Sequence, residues 1–360
     1  MKCVFVTNIP APYREKVHEY VALNSKIDYE VLYCSDLESN RDWQFSKGLY
    51  DYSYLTSKSI TFRGRDIYLF SNIWSQLQKK QPDVVVLAGF SLPMLVSYFW
   101  CLLNRKKIIS FTDAHLKFER RLTFLHKAMR TIFYRLSDAC VGASNKSLDL
   151  FRYYGVRDKR LFKSQLCANN EMYFKAYRRF LEREFDIILC GRICEEKLAS
   201  FSLSVLSELK KLKPDLRVLV VGDGPSRESL LDQLKNNEIQ YKYAGFVGQD
   251  ALPHLYSNAK LFLFPSVNDA WGVVANEACA AGTPVITCES VGAAGELLLD
   301  SVNSFILPLN ERIWAQKALG IISDTTIWDD LSNACKLQVS EYSYMNAGKG
   351  LIDAVEFSSN

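Results

Sequence analysis

The sequence predicts an α/β protein built as two doubly wound parallel-sheet domains. Three observations carry that prediction. Short apolar runs alternate with stretches of helical periodicity, the pattern that places helices on both faces of a parallel sheet. The alternation occurs twice, and it lapses once, across residues 168–185. At 360 residues the chain is long for one core and comfortable for two of about 150 to 180 residues each. A hydrophobic content of 48% and a charged content of 23% supply both cores and argue against disorder.

In the first domain, residues 1–168, strands are expected at 3–6, 29–33, 83–88, 107–111 and 139–142. Ligands of such sheets gather beyond the carboxyl ends of the strands, so the loops that matter are 7–14, 89–93 and 112–117. The first reads Thr-Asn-Ile-Pro-Ala-Pro-Tyr-Arg. Its two prolines stiffen it and remove two N–H donors, so Asn8 or Arg14 would have to supply polar contacts. A rigid strand-to-helix turn is the alternative. The third loop carries Asp113 and His115. A lone histidine more often packs or caps; here it follows a strand end where ligands collect, with Asp113 as its orienting partner or as an acceptor contact.

The lapse at 169–184, turn-forming Asn169-Asn170 followed by a highly charged stretch, is taken as the linker. The second domain, 185–342, opens with a buried strand at 185–190 and then Gly191-Arg192-Ile193-Cys194-Glu195-Glu196-Lys197. Gly191 lets the backbone turn, and Arg192 and Lys197 can both reach one anion. The next strand, 217–221, ends in Gly222-Asp223-Gly224-Pro225. A dinucleotide fingerprint would want a third glycine at 227, where Arg227 stands, so a dehydrogenase reading is weak. Strand 241–244 leads into Gly245-Phe246-Val247.

The stretch 260–288 then forms a strand, helix, strand unit: an apolar run at 261–264 closed by Pro265, a helix at 273–281 stopped by Gly282, and a second run at 284–288. Asp269 lies just before the helix, where free backbone N–H groups favour an anion. Glu277 lies about 7.5 Å further along the axis from Gly272 and leans back toward the N-terminus. A phosphate at the helix tip would leave Glu277 within reach of an attached sugar hydroxyl, which describes a nucleotide's ribose beside its diphosphate. The tail, about 343–360, has the amphipathic spacing of a helix.

The net charge of +4 does not argue for nucleic acid. Its distribution is uneven: basic residues including Arg120, Arg121 and Arg130 crowd 105–135 among aromatics, either a solvated helix face or a surface for anionic lipid. Ten scattered cysteines without a Cys-x2-Cys pair suit buried thiols in a reducing compartment. The four histidines lack metal-ligand spacing and no Asp-x-Asp occurs, so no metal or other cofactor is expected. Residues 1–6 read as a strand, not a signal peptide, and the apolar stretch 92–103 is well short of the ~20 residues that span a bilayer. The expected location is the cytoplasm, at most at the inner face of the plasma membrane.

The acid, seven residues, Glu spacing of Asp269 and Glu277 resembles the motif of the retaining family 4 glycosyltransferases (glycosyl transferases group 1) of the GT-B fold. Gly191 to Lys197 is similar to that family's Gly-Arg-x4-Lys element. The resemblance implies two Rossmann-like domains facing a central cleft, with the tail helix, about 343–360, packed back on the first domain. It also implies roles for single residues: Glu277 on the ribose hydroxyls, Asp269 with the backbone of Ala270, Trp271 and Gly272 on the donor sugar, Arg192 and Lys197 on the diphosphate, and the backbone at Val247 on the base. His115 would approach the reacting centre, Asn8 would serve the donor, and Arg14 and Asp113 the acceptor. Asp269 is one methylene shorter than the family's Glu, and the 7–14 loop departs from the usual Gly-Gly turn, looking like a variant in some bacterial surface-polysaccharide transferases. The expected activity is therefore metal-independent, retaining transfer of a sugar from a nucleotide-diphosphate donor, UDP-sugar favoured, to a glycan or lipid-linked saccharide in O-antigen, capsule or similar lipopolysaccharide assembly. A sugar-nucleotide epimerase or hydrolase of the same fold, and a nucleotide-sugar-binding subunit without activity, are the alternatives.

Overall fold

Runs of β-branched and aromatic residues become the strands of two parallel sheets. The computed structural model describes residues 1–37, 48–62, 65–119, 122–267 and 269–359. The chain divides into one unit of Met1–Cys167 with Tyr344–Asn360 and a second of Ala168–Ser343.

The first unit runs β1 (Lys2–Thr7), α1 (Pro12–Asn24), β2 (Asp28–Tyr33), β3 (Asp51–Tyr54), β4 (Ser57–Phe62), β5 (Arg65–Ser71), α2 (Ile73–Lys80), β6 (Val84–Ala88), α3 (Leu92–Leu103), β7 (Lys107–Thr112), α4 (Leu116–Glu119), α5 (Phe124–Leu136), β8 (Ala139–Gly142), α6 (Asn145–Tyr153) and β9 (Leu161–Lys163). Its main sheet has the order β3-β2-β1-β6-β7-β8-β9 with every pair parallel. The strand order reverses between β1 and β6, so the loops that follow those strands diverge and leave a crevice at the carboxyl edge. β4 and β5 form a separate antiparallel hairpin. Pro12 starts α1 at a position where its fixed φ suits the first turn. One face of the sheet is covered by α1 and the last helix of the chain, Tyr344–Ser359, whose Leu351, Ala354 and Val355 share a core with Phe5, Val31 and Ile109. The other is covered by α3 and α5, with Tyr98 and Phe133 in a core with Val85 and Ile108.

The second unit runs α7 (Asn170–Ala176), β10 (Phe185–Cys190), α8 (Ala199–Leu212), β11 (Arg217–Val221), α9 (Arg227–Asn236), β12 (Gln240–Gly245), α10 (Leu252–Ser257), β13 (Ala259–Phe264), α11 (Val273–Ala280), β14 (Val285–Thr287), β15 (Ser304–Ile306), α12 (Glu311–Ser323) and α13 (Thr325–Ser340); the returning helix is α14. The sheet order is β12-β11-β10-β13-β14-β15, all parallel, and it reverses between β10 and β13. Both sheets are thus doubly wound, as the alternation of apolar runs predicts.

Residues 169–184 lie inside this second unit. Asn170 is buried and donates from Nδ2 to Val339 O (2.9 Å) and Tyr342 O (3.2 Å). Arg183 is also buried, donating to Ala259 O (2.7 Å), Thr283 Oγ1 (2.7 Å) and Ala281 O (2.8 Å) beneath the Trp328 ring. Burial lowers its pKa to about 9, and the carbonyls that surround it replace the lost water. Among the described residues no helix is long and apolar enough to cross a membrane.

Candidate functional site

In the second unit, the loops after β10 and β13 flank the point where strand order reverses. They are tied to each other by main chain: Val267 N–H and the Ser266 hydroxyl both donate to Glu196 O, each at 3.1 Å. Across this junction the Lys197 ammonium pairs with Asp269 Oδ2 and lies 5.6 Å from the centre of the Phe264 ring. Asp269 uses its other oxygen to accept the Trp271 N–H at 3.2 Å. The two residues the sequence assigned to diphosphate and donor sugar are therefore in contact.

Arg192 is exposed on the same loop as Lys197, and among the described residues it makes no hydrogen bond or ion pair. Gly191, at φ +132°, turns the chain into that loop. The loop after β11 supports it, with Ile193 N–H donating to Asp223 O at 2.9 Å. A Cβ on Gly222 would collide with Gly191 O, and one on Gly224 with Ile193 O. The Gly-Asp-Gly-Pro turn is accordingly a packing device under Arg192.

Glu277 lies in α11 and is buried. It faces the hydroxyls of Tyr173 from α7 and Tyr256 from α10, and it adds to the negative field at the Cys190 thiol at the end of β10. Burial raises its carboxyl pKa from 4.5 to about 7, against the opposing pull of the two tyrosines. Its Oε2 has no hydrogen-bonding partner. A buried carboxylate oxygen without a donor costs on the order of 1–3 kcal/mol unless something supplies one. Tyr173, Tyr256 and Cys190 were not legible as site neighbours, because each comes from a different element and none stands in a motif.

The loop that follows Asp269 is more occupied than the sequence suggested. Trp271 is fully buried, its Nε1 donating to Asn276 Oδ1 (2.7 Å) and its carbonyl accepting Ala293 N–H (2.9 Å). Asp269 O accepts Gly292 N–H at 2.9 Å. Ala270 is half-buried, and Gly272, at φ +89°, opens α11 without a side-chain cap. Val247 is half-buried beside Phe246, which is exposed.

In the first unit, Asn8 follows β1 and its carbonyl accepts Ser35 N–H at 2.9 Å. Asp113 is exposed and His115 buried on the loop after β7. Arg14 is turned inward: Nη1 donates to Ser164 O at 3.1 Å and Ser164 Oγ at 3.3 Å, and its Cζ lies 4.6 Å from the centre of the Phe111 ring. Burial lowers its pKa, with Cys167, Tyr13 and Asp113 opposing. Arg14 therefore fastens α1 to the segment after β9. Arg120 and Arg121 lie outside the described residues, and Arg130 is taken by Glu119 (2.6 Å) and the Phe90 ring.

Residues 174–334 match the family model described as glycosyl transferases group 1. An uncharacterized glycosyltransferase of Methanocaldococcus jannaschii is 29% identical over 176 residues, which cover 48% of this chain and 45% of that protein. The matched stretch spans less than half the length of the first curated relatives. Over whole chains, the structure of Anabaena HepE in complex with UDP superposes with a TM-score of 0.76 at 15% identity, covering 99% of this chain and 100% of that one. WaaG, a glycosyltransferase involved in lipopolysaccharide biosynthesis, gives a TM-score of 0.67 at 17% identity, covering 99% and 100%.

Proposed function

We propose that this chain, a GT-B protein whose residues 174–334 are a glycosyl transferases group 1 domain, transfers a sugar from a nucleotide-diphosphate donor to a saccharide acceptor with retention of configuration. One observation carries the reading: at the reversal of the second sheet, the Lys197–Asp269 pair and the unpartnered Oε2 of Glu277 come from the two loops and the helix that a pyrophosphate-ribose would bridge. Arg192 and Lys197 would bear the charge that develops on the departing diphosphate, and Glu277 would accept from the ribose hydroxyls. Asp269 would orient the donor sugar through the oxygen it shares with Lys197. With two cations in place, the leaving phosphate itself can take the acceptor's proton, and no metal is required by this scheme.

UDP-sugar is the favoured donor, in keeping with the UDP bound by HepE. A glycan or lipid-linked saccharide of surface polysaccharide is the favoured acceptor, in keeping with the involvement of WaaG in lipopolysaccharide biosynthesis. The chain would then work in the cytoplasm or at the inner face of the membrane, with His115 toward the reacting centre, Asn8 toward the donor and Asp113 toward the acceptor. Calorimetry against UDP, GDP, dTDP and ADP tests the premise. The expected result is micromolar binding of one of them, weakened at least tenfold in Arg192→Ala and Lys197→Met, with the melting temperature unchanged in Arg192→Ala, whose side chain is exposed. Absence of binding to all four removes the proposal. Proton NMR of the product's anomeric centre then decides retention, and donor consumption without an acceptor would point to hydrolysis or epimerisation instead.

A further inference from the structure

Glu15, on α1 of the first unit, is 8% exposed and keeps a carboxylate oxygen that no donor reaches. Its Oε2 accepts the Tyr50 hydroxyl at 2.6 Å, and Tyr50 Oη lies 2.8 Å from Tyr33 Oη. Tyr50 has one proton and gives it to Glu15, so Tyr33 must donate to Tyr50. The hydrogens of this chain all run toward Glu15, as they do around a carboxylate, while Oε1 is buried without a hydrogen-bonding partner.

Four tyrosines wall this carboxylate. Tyr50, Tyr52 and Tyr54 alternate along the edge strand β3 and the residue before it, so their rings share one face of the sheet with Tyr33 of β2. The Tyr52 ring centre is 5.9 Å from that of Tyr50, 6.1 Å from that of Tyr33 and 5.8 Å from that of Tyr54, to which it stands at 84°. Exposure rises from Tyr33 (1%) to Tyr54 (41%), so the group opens to water at the carboxyl end of β3.

The charges identify the guest. Glu19 adds negative potential at Glu15, and Asp36 adds it at Tyr54. Lys16 is paired with Glu19 at 2.9 Å, and Arg14 is turned to Ser164 and the Phe111 ring. His18, whose ring centre is 5.5 Å from that of Tyr50, is held neutral, its pKa lowered to about 3 by burial and by Arg14. Burial raises the Glu15 pKa from 4.5 to about 7, and a positive ligand would restore its ionised form. Phenol faces favour a cation too. Among the described residues no group of three His, Cys, Asp or Glu could hold a metal ion, so the aromatic walls suit an organic cation. We infer that Glu15 and these tyrosines bind an organic ammonium group, its charge on the Glu15 carboxylate and its carbons against the rings of Tyr52 and Tyr54. An amino group carried on a saccharide and a small free amine share this chemistry. The site belongs to the first unit and does not rest on the proposed function.

Ligand-observed NMR titration of the full chain at about pH 7 tests it, with glucosamine against glucose and ethanolamine against ethylene glycol. Each amine is expected to bind at least tenfold tighter than its uncharged counterpart. Glu15→Gln should abolish that preference. Tyr54→Leu, at an exposed site outside the core, should weaken both amines about fivefold, whereas Glu228→Gln, an exposed acid on α9, should change nothing. Tighter binding of glucosamine than of ethanolamine identifies an amine borne on a sugar, and the converse a small free amine. The inference is overturned if glucose and ethylene glycol bind as well as the amines, if no amine binds at tens of millimolar, or if amine affinity is unchanged in Tyr54→Leu.

Discussion

On the proposed function, Glu277 is the residue whose protonation the fold and a bound nucleotide would pull in opposite directions. With its pKa raised from 4.5 to about 7, the folded chain holds a proton that the unfolded chain releases. This contribution to stability is full below about pH 4.5 and is lost as pH rises through 7, at most about 3 kcal/mol. Glu277→Gln keeps the shape without the charge, so its melting temperature should gain on the parent between pH 5.5 and pH 8; equal pH slopes in the two proteins would rule the assignment out. A ribose diol that donates to Oε2 favours the ionised form. Nucleotide binding should therefore release a proton below pH 7 and tighten as pH rises to 7.5, which calorimetry in two buffers of different ionisation enthalpy can read. In Glu277→Gln the proton release should vanish and affinity should fall at least tenfold.

At the scale of elements, the candidate site depends on loops pressed together with no room for side chains. Gly292 is the clearest case, because a Cβ there would run into Ala270 O and the Trp271 Cα. Gly292→Ala should push the 289–298 loop from the Asp269–Trp271 turn and cost about 1–3 kcal/mol. Thermal denaturation reads the loss, and an unchanged midpoint would mean that the turn is free to shift. The sequence made the central strands of both sheets legible, since β1, β6, β7, β10, β11 and β13 are largely buried and read as near-continuous apolar runs, broken only by single residues such as Ser110 in β7 and Asp186 in β10. It hid the β4–β5 hairpin, whose Ser57–Phe62 strand mixes polar and apolar residues and whose pairing is antiparallel. It also disguised Arg183, which composition classes as a solvated linker charge and which the fold buries among five carbonyls from three segments. Periodicity reports what a residue's neighbours in sequence demand. Long-range hydrogen bonds such as those of Arg14 and Arg183 leave no trace in it.

At the scale of the molecule, the chain's last helix belongs to the unit in which the chain begins. The closeness of that packing is written in two glycines of α14: a Cβ on Gly348 would strike the Tyr20 ring, and one on Gly350 would strike Lys163 O. Leu351 and Val355 are fully buried in the core that holds Phe5, Val31 and Ile109, and burying two such side chains contributes about 3–6 kcal/mol. That is comparable to the whole net stability of many domains. A chain ended at Ser343 should therefore lose protection in its first unit and keep it in its second. Amide hydrogen exchange is expected to speed up in α1 and in β7 through β9, against which α14 lies, while β10, β11 and β13 exchange as before. Gly350→Ala should produce a weaker form of the same pattern, since the added methyl displaces α14 without removing it. If exchange rose equally in both sheets, the last helix would have to stabilise the molecule by some route other than the core it shares with β1, β2 and β7.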